Sequence, residues 1–84
     1  MWEVIGFEKS YIQPKDNGAP YWACELWVAK PYKSDINTQS AGKRGKRVWY
    51  RMSEIPYEPV LGQTVLVETE VRGKFEFVVD IQAM

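Results

Sequence analysis

Three stretches of strict two-residue alternation constrain this chain more than anything else in it. From Tyr21 to Ala29, Trp22, Cys24, Leu26 and Val28 fall on one side and Tyr21, Ala23, Glu25, Trp27 and Ala29 on the other. Thr64 to Arg72 sets Val65, Val67, Thr69 and Val71 against Thr64, Leu66, Glu68, Glu70 and Arg72. Lys74 to Gln82 sets Phe75, Phe77, Val79 and Ile81 against Lys74, Glu76, Val78, Asp80 and Gln82. Period-2 runs rich in β-branched and aromatic residues predict half-buried strands. Val48 to Met52 adds a shorter one. Trp2 to Ile12 reads as a first strand with a blurred pattern, in which Gly6 marks a bulge or a sharp coil.

The last two runs also suggest a register. Their apolar sets are both odd-numbered, so a three-residue Arg72-Gly73-Lys74 connection keeps one face dry by pairing Val71 with Phe75, Thr69 with Phe77 and Val67 with Val79. Pro14 to Pro20 is a dense turn cluster in which Asp16-Asn17-Gly18 reads as turn chemistry rather than a metal loop. Pro56 and Pro59 exclude a regular helix from the connection after Met52. From about residue 31 to 46 apolar periodicity is lost, which predicts a long, flexible, basic loop. Eighty-four residues suffice for one domain. Five strands without a helical signal predict a single all-β domain over 1–84, a small closed or nearly closed antiparallel barrel with no or minimal helix.

The chain has no His and a single Cys, Cys24. Zinc sites built on His and Cys, Ser-His-Asp triads and Cys-His dyads are therefore excluded. One thiol gives no disulfide framework, and Cys24 on the apolar side of its run reads as a small buried hydrophobe. No basic, apolar leader opens the sequence and no apolar run approaches the ~20 residues of a membrane span. The expectation is a cytoplasmic binding module: not an enzyme, and without metal, cofactor or membrane.

Eleven basic and eleven acidic residues give a formal net charge of zero, but the charge is polarised. Residues 30–51 hold seven Lys or Arg and only Asp35 as an acid, whereas 52–84 hold two Lys or Arg against six acids. Such a chain can receive a polyanion on one side and repel it on another. Lys43-Arg44-Gly45-Lys46-Arg47-Val48-Trp49-Tyr50-Arg51 concentrates five cations in nine residues. As a strand it sets Trp49 between Arg47 and Arg51, on the side away from Val48, Tyr50 and Met52. If it pairs with Tyr21 to Ala29, Trp27, Trp49 and Tyr21 share a face with both arginines. Flat rings flanked by cations suit an unpaired strand, because bases stack on the rings while guanidinium and ammonium groups meet phosphates. The aromatics alone would equally suit a core or dimer contact; the cations turn the reading toward nucleic acid. Glu68, Glu70, Glu76 and Asp80 are expected together on a solvated outer face of the final hairpin.

This pattern resembles OB-fold single-stranded DNA-binding proteins. In the bacterial housekeeping type a Gly-containing turn, here Gly18, leads to a Leu-x-Val-Ala-like strand, here Leu26-Trp27-Val28-Ala29. A basic loop follows, then a Trp-centred strand, here Trp49-Tyr50-Arg51, and a Gly-x-x-Val opening, here Gly62-Gln63-Thr64-Val65. The small helix-destabilising proteins of filamentous phages look similar through a Gly-x-Pro-Tyr turn, here Gly18-Ala19-Pro20-Tyr21. The resemblance runs from Gly18 to Ile81. It implies a five-stranded OB-type barrel, a homo-oligomer (commonly a dimer), and sequence-tolerant coating of single-stranded DNA in a phage or mobile replicon. Trp27 and Trp49 would stack bases, with Tyr21 a weaker platform. Arg47 and Arg51 would hold phosphates, and Lys43, Arg44 and Lys46 would form a mobile clamp. RNA binding on the same surface, and a protein adaptor whose aromatic face is an oligomer interface, are the rival expectations.

Overall fold

The computed structural model describes residues 1–31 and 37–84. Five strands form one antiparallel sheet: β1 (Trp2–Ile12), β2 (Tyr21–Pro31), β3 (Lys43–Arg51), β4 (Thr64–Arg72) and β5 (Phe75–Ala83), in the order β3-β2-β1-β4-β5. No helix forms among the described residues. The sheet curls so that its two edges, β3 and β5, touch without a ladder between them. The fold is barrel-like and all-β, but open at that seam.

Alternation dictates the core. Cys24, Leu26 and Val28 of β2 and Val48 and Tyr50 of β3 point inward, where they meet Val4, Val65 and Ile81. Ile55 and Tyr57, from the proline-bearing connection between β3 and β4, close the cluster from below. Full burial of such side chains contributes about 1.5–3 kcal/mol each for the larger aliphatics. The Tyr50 hydroxyl donates to the Tyr57 carbonyl at 2.8 Å, and the Tyr57 hydroxyl donates to Gln63 Oε1 at 2.6 Å, so neither buried phenol lacks a partner. Burial pushes the Cys24 thiol and the Tyr50 and Tyr57 phenols above their ordinary pKa values.

The blurred first strand has a structural cause. Ile5 is a bulge, inserted between the Val4↔Val28 and Gly6↔Trp27 pairs. Below it Val4 faces the core; above it β1 continues to Ile12↔Tyr21. Asp16 closes the following turn by accepting from Gly18 N at 3.2 Å, with Asn17 at φ 64°.

The final hairpin departs from the expected register. Its connection is the two-residue Gly73-Lys74 turn, with Arg72 opposite Phe75, Val71 opposite Glu76, Glu70 opposite Phe77 and Thr69 opposite Val78. Gly73 (φ 63°) supplies the left-handed position that a two-residue turn of this kind needs. Val79 is then bulged out, and beyond it Glu68 meets Asp80 and Val67 meets Ile81. One inserted residue thus swaps the faces midway along β5. Ile81 reaches the core, while Phe75 and Phe77 turn to the opposite side, beside Glu70 and Arg72. Glu76 is also displaced: Glu68, Glu70 and Asp80 share the outer face, but Glu76 lies on the other and meets β3. Only Trp2↔Val65 and Glu3↔Thr64 pair β1 with β4, so the distal hairpin has no hydrogen-bonded third strand and leaves Val71 (70% exposed) and Phe75 (68%) in solvent.

The basic segment also differs from expectation. The β2–β3 ladder runs out to Pro31↔Lys43, which puts Lys43, Arg44 and Lys46 in a paired strand rather than a mobile loop. Nothing in Lys43 to Arg51 interrupts the ladder once Leu26 and Val48 have paired, and Pro31, lacking an N–H, stands at its last pair. Residues 32–36 of the expected loop lie outside the described residues.

Candidate nucleic-acid interface

The ladder between β2 and β3 assembles the expected surface. Ala23 pairs with Arg51, Glu25 with Trp49, Trp27 with Arg47 and Ala29 with Gly45, all on the side away from the core. Trp27 and Trp49 are diagonal neighbours, the arrangement that sets same-face side chains roughly 7–8 Å apart. Both indoles are about half open, at 42% and 43% exposure. Across β1, Gly6 stands opposite Trp27 and has no side chain with which to cover it. Ala23 and Ala29, the small residues on the same side of β2, are themselves buried.

Each cation on this side has its own arrangement. The Arg51 guanidinium stacks on the Tyr21 ring, 4.2 Å from its centroid. Glu25 Oε1 accepts from Trp27 Nε1 at 2.9 Å and pairs with Arg47 Nε at 3.1 Å. One carboxylate therefore orients both an indole and a guanidinium, and neutralises the latter. Lys43 pairs with Glu3 at 3.2 Å. Glu8 stands directly across from Glu25, and a shallow hollow of about 90 Å³ lies between Glu8, Glu25, Arg47 and Trp49. The aromatic face is thus nearly balanced in charge rather than strongly positive.

Arg44 and Lys46 do not join that face. As even-numbered residues of β3 they point to the core side, with Lys46 opposite Val28 and Arg44 opposite Lys30. Lys46 pairs with Glu76 of the hairpin at 3.1 Å, and this bond holds the Glu76 carboxyl below the usual range. On the same side the indole of Trp2 lies under the ammonium groups of Lys30 and Lys46, at 4.4 and 5.8 Å from its centroid. Trp2 has no cation beside it in sequence; its basic surroundings exist only once β1, β2 and β3 have paired. Of the eight residues expected at the site, Trp27, Trp49, Tyr21, Arg47, Arg51 and Lys43 come together, and Arg44 and Lys46 lie behind them. Glu25, Lys30 and Trp2 are the neighbours that sequence reasoning left out of the site. The strand pairing itself is the signal that would have found them.

No protein-family model, curated protein or solved structure matches this chain. No cluster of three or more potential metal ligands occurs among the described residues.

Proposed function

We propose that the protein binds single-stranded DNA with little regard to sequence, coating unpaired strands during replication or transfer of a phage or other mobile element. The observation that carries this reading is the pair of half-exposed indoles, Trp27 and Trp49, on one sheet face between Arg47 and Arg51. Bases stack on such rings at about 1–3 kcal/mol each, and every base has a π face, so sequence matters little. Arg47, Arg51 and Lys43 meet phosphates, while Tyr21, already covered by Arg51, serves as a secondary platform. The acidic outer face of the hairpin, with Glu68, Glu70 and Asp80, disfavours a polyanion there and favours the β2–β3 side. The role is binding, with no catalytic step and no cofactor.

A second copy of the chain is part of the same proposal. An isolated two-stranded ribbon is marginal in water, and the distal hairpin exposes Val71, Phe75 and Phe77. Sedimentation of the free protein tests this, with a dimer or larger species expected.

The test of binding is a titration with oligo(dT) across a range of salt concentrations. About four neutralised phosphates give a slope of log K against log salt of roughly −3. Matched RNA oligomers as competitors separate the two sugars: preference for RNA would replace the DNA reading. An absence of binding to either, with a tight oligomer that shields Trp27 and Trp49, would replace both with a protein adaptor.

A further inference from the structure

Strand β3 is an edge of the sheet with no ladder on its outer side, and its cations alternate sides. The reverse side of the β2–β3 ribbon holds a denser positive cluster than the Trp27–Trp49 face. Lys30 and Lys46 both lie over the Trp2 ring, and Arg44 stands directly across from Lys30. Among the described residues, one carboxylate, Glu76, is bonded to this cluster, through Lys46. No carboxylate among the described residues lies within ion-pair distance of Lys30 or Arg44. On the aromatic face, by contrast, Lys43 and Arg47 already hold Glu3 and Glu25. A phosphate arriving at Lys30 and Arg44 displaces no carboxylate among the described residues.

Like charges this close repel, and the indole face offsets only about 0.5–1 kcal/mol per cation at an exposed site. An incoming oxyanion removes that repulsion. We infer that Lys30, Arg44 and Lys46 around Trp2 form a second phosphate site, and that a strand stacked on Trp27 and Trp49 crosses the unladdered edge of β3 to reach it. A groove of about 500 Å³ runs along β3 at its seam with the hairpin, where Lys46, Arg47, Trp49 and Arg51 line it together with Glu54, Glu76 and Phe77. Lys46 is the member of the proposed site that lines it. This path rests on the single-strand reading of the aromatic face.

The test uses the full chain with Lys30→Gln and Arg44→Gln combined, beside a control in which Lys15→Gln and Lys74→Gln remove the same charge elsewhere. Each is titrated with a long oligo(dT) at several salt concentrations. The first variant is expected to flatten the salt slope by roughly 1.4, at about 0.7 per phosphate contact, and to shorten the length of DNA occluded per protomer. The control is expected to match the unmodified protein. An unchanged slope in the first variant, or equal flattening in the control, overturns the second site. Trp49→Ala separates the two readings: if it weakens binding while the Lys30/Arg44 variant does not, the aromatic face stands and the crossing path falls. If the unmodified chain binds no oligo(dT), both fall. Thymidine triphosphate at matched phosphate concentration is the remaining probe. Saturable binding of it, lost in the Lys30/Arg44 variant, would make this a mononucleotide site and overturn the crossing path.

Discussion

The β2–β3 ribbon and the β4–β5 hairpin are built from similar two-residue patterns and end as opposites. In β2–β3 one face supplies half of the core cluster, and the other carries aromatic rings and cations held at fixed spacing. In β4–β5 the Val79 bulge swaps the faces, and the distal half exposes apolar residues on both sides among carboxylates. Alternation makes a ribbon amphipathic, but its neighbours decide which ribbon becomes a rigid platform. β2 is paired on both sides along nearly its whole length, whereas the distal hairpin lacks a hydrogen-bonded third strand.

The largest difference between the two should appear in stability. Leu26→Ala empties a fully buried position and is expected to destabilise by about 2–5 kcal/mol, read by urea unfolding. Val71→Ala on the hairpin is expected to stay within about 0.5 kcal/mol at dilutions where the protomer is alone, and to cost more only where the proposed second copy covers it. Comparable losses would mean that the hairpin is covered in solution, as a tight dimer through that region would require.

Binding should divide the same way. Trp49→Ala is expected to weaken oligo(dT) binding by about 5- to 150-fold, the equivalent of about 1–3 kcal/mol of lost stacking. Arg72→Gln, whose guanidinium is held by Glu70, is expected to change it by less than about twofold. A smaller effect sharpens the electrostatics. Glu25→Gln keeps an acceptor for Trp27 Nε1 and frees Arg47, so affinity should rise by about two- to fivefold at low salt and the salt slope should steepen. A drop in affinity would show that Glu25 matters more for holding the two side chains than for masking charge.

The mildest contrast is in pH. Cys24 and Tyr50 have raised pKa values in the folded protein, so above the ordinary thiol value of 9.0 the unfolded chain loses protons that the folded chain keeps. Stability should therefore fall as pH rises through about 9 to 10, which denaturation midpoints at pH 8 and 10 will show. Glu76 acts with the opposite sign. Its lowered pKa favours the folded state above the ordinary carboxylate range, and that contribution fades as pH falls through the lowered value. Because the Lys46–Glu76 pair is exposed, the acid effect should be slight.

How far the sequence revealed these features follows from what each depends on. The five strands and the face shared by Trp27, Trp49, Tyr21, Arg47 and Arg51 were legible, because alternation in Tyr21 to Ala29 and Val48 to Met52 is unbroken. The hairpin register was not. A bulge at Val79 leaves no mark in a run of Phe-Val-Val, and parity arguments assume that every residue is paired. The extent of β3 was hidden by charge: Lys43 to Lys46 has no apolar pattern, and its strand state comes from pairing with Val28 to Pro31. Trp2 with Lys30 and Lys46, and Glu25 with its two partners, were illegible for a related reason. The first needs three strands in register, and the second needs particular side-chain rotamers.

The most direct measurement is tryptophan fluorescence on addition of poly(dT), comparing the unmodified protein with a Trp27→Phe, Trp49→Phe double variant. Strong quenching is expected in the former, and most of it should vanish in the latter although Trp2 and Trp22 remain. Undiminished quenching in the double variant, or none in the unmodified protein, would contradict the assignment of the β2–β3 outer face as the place where bases stack.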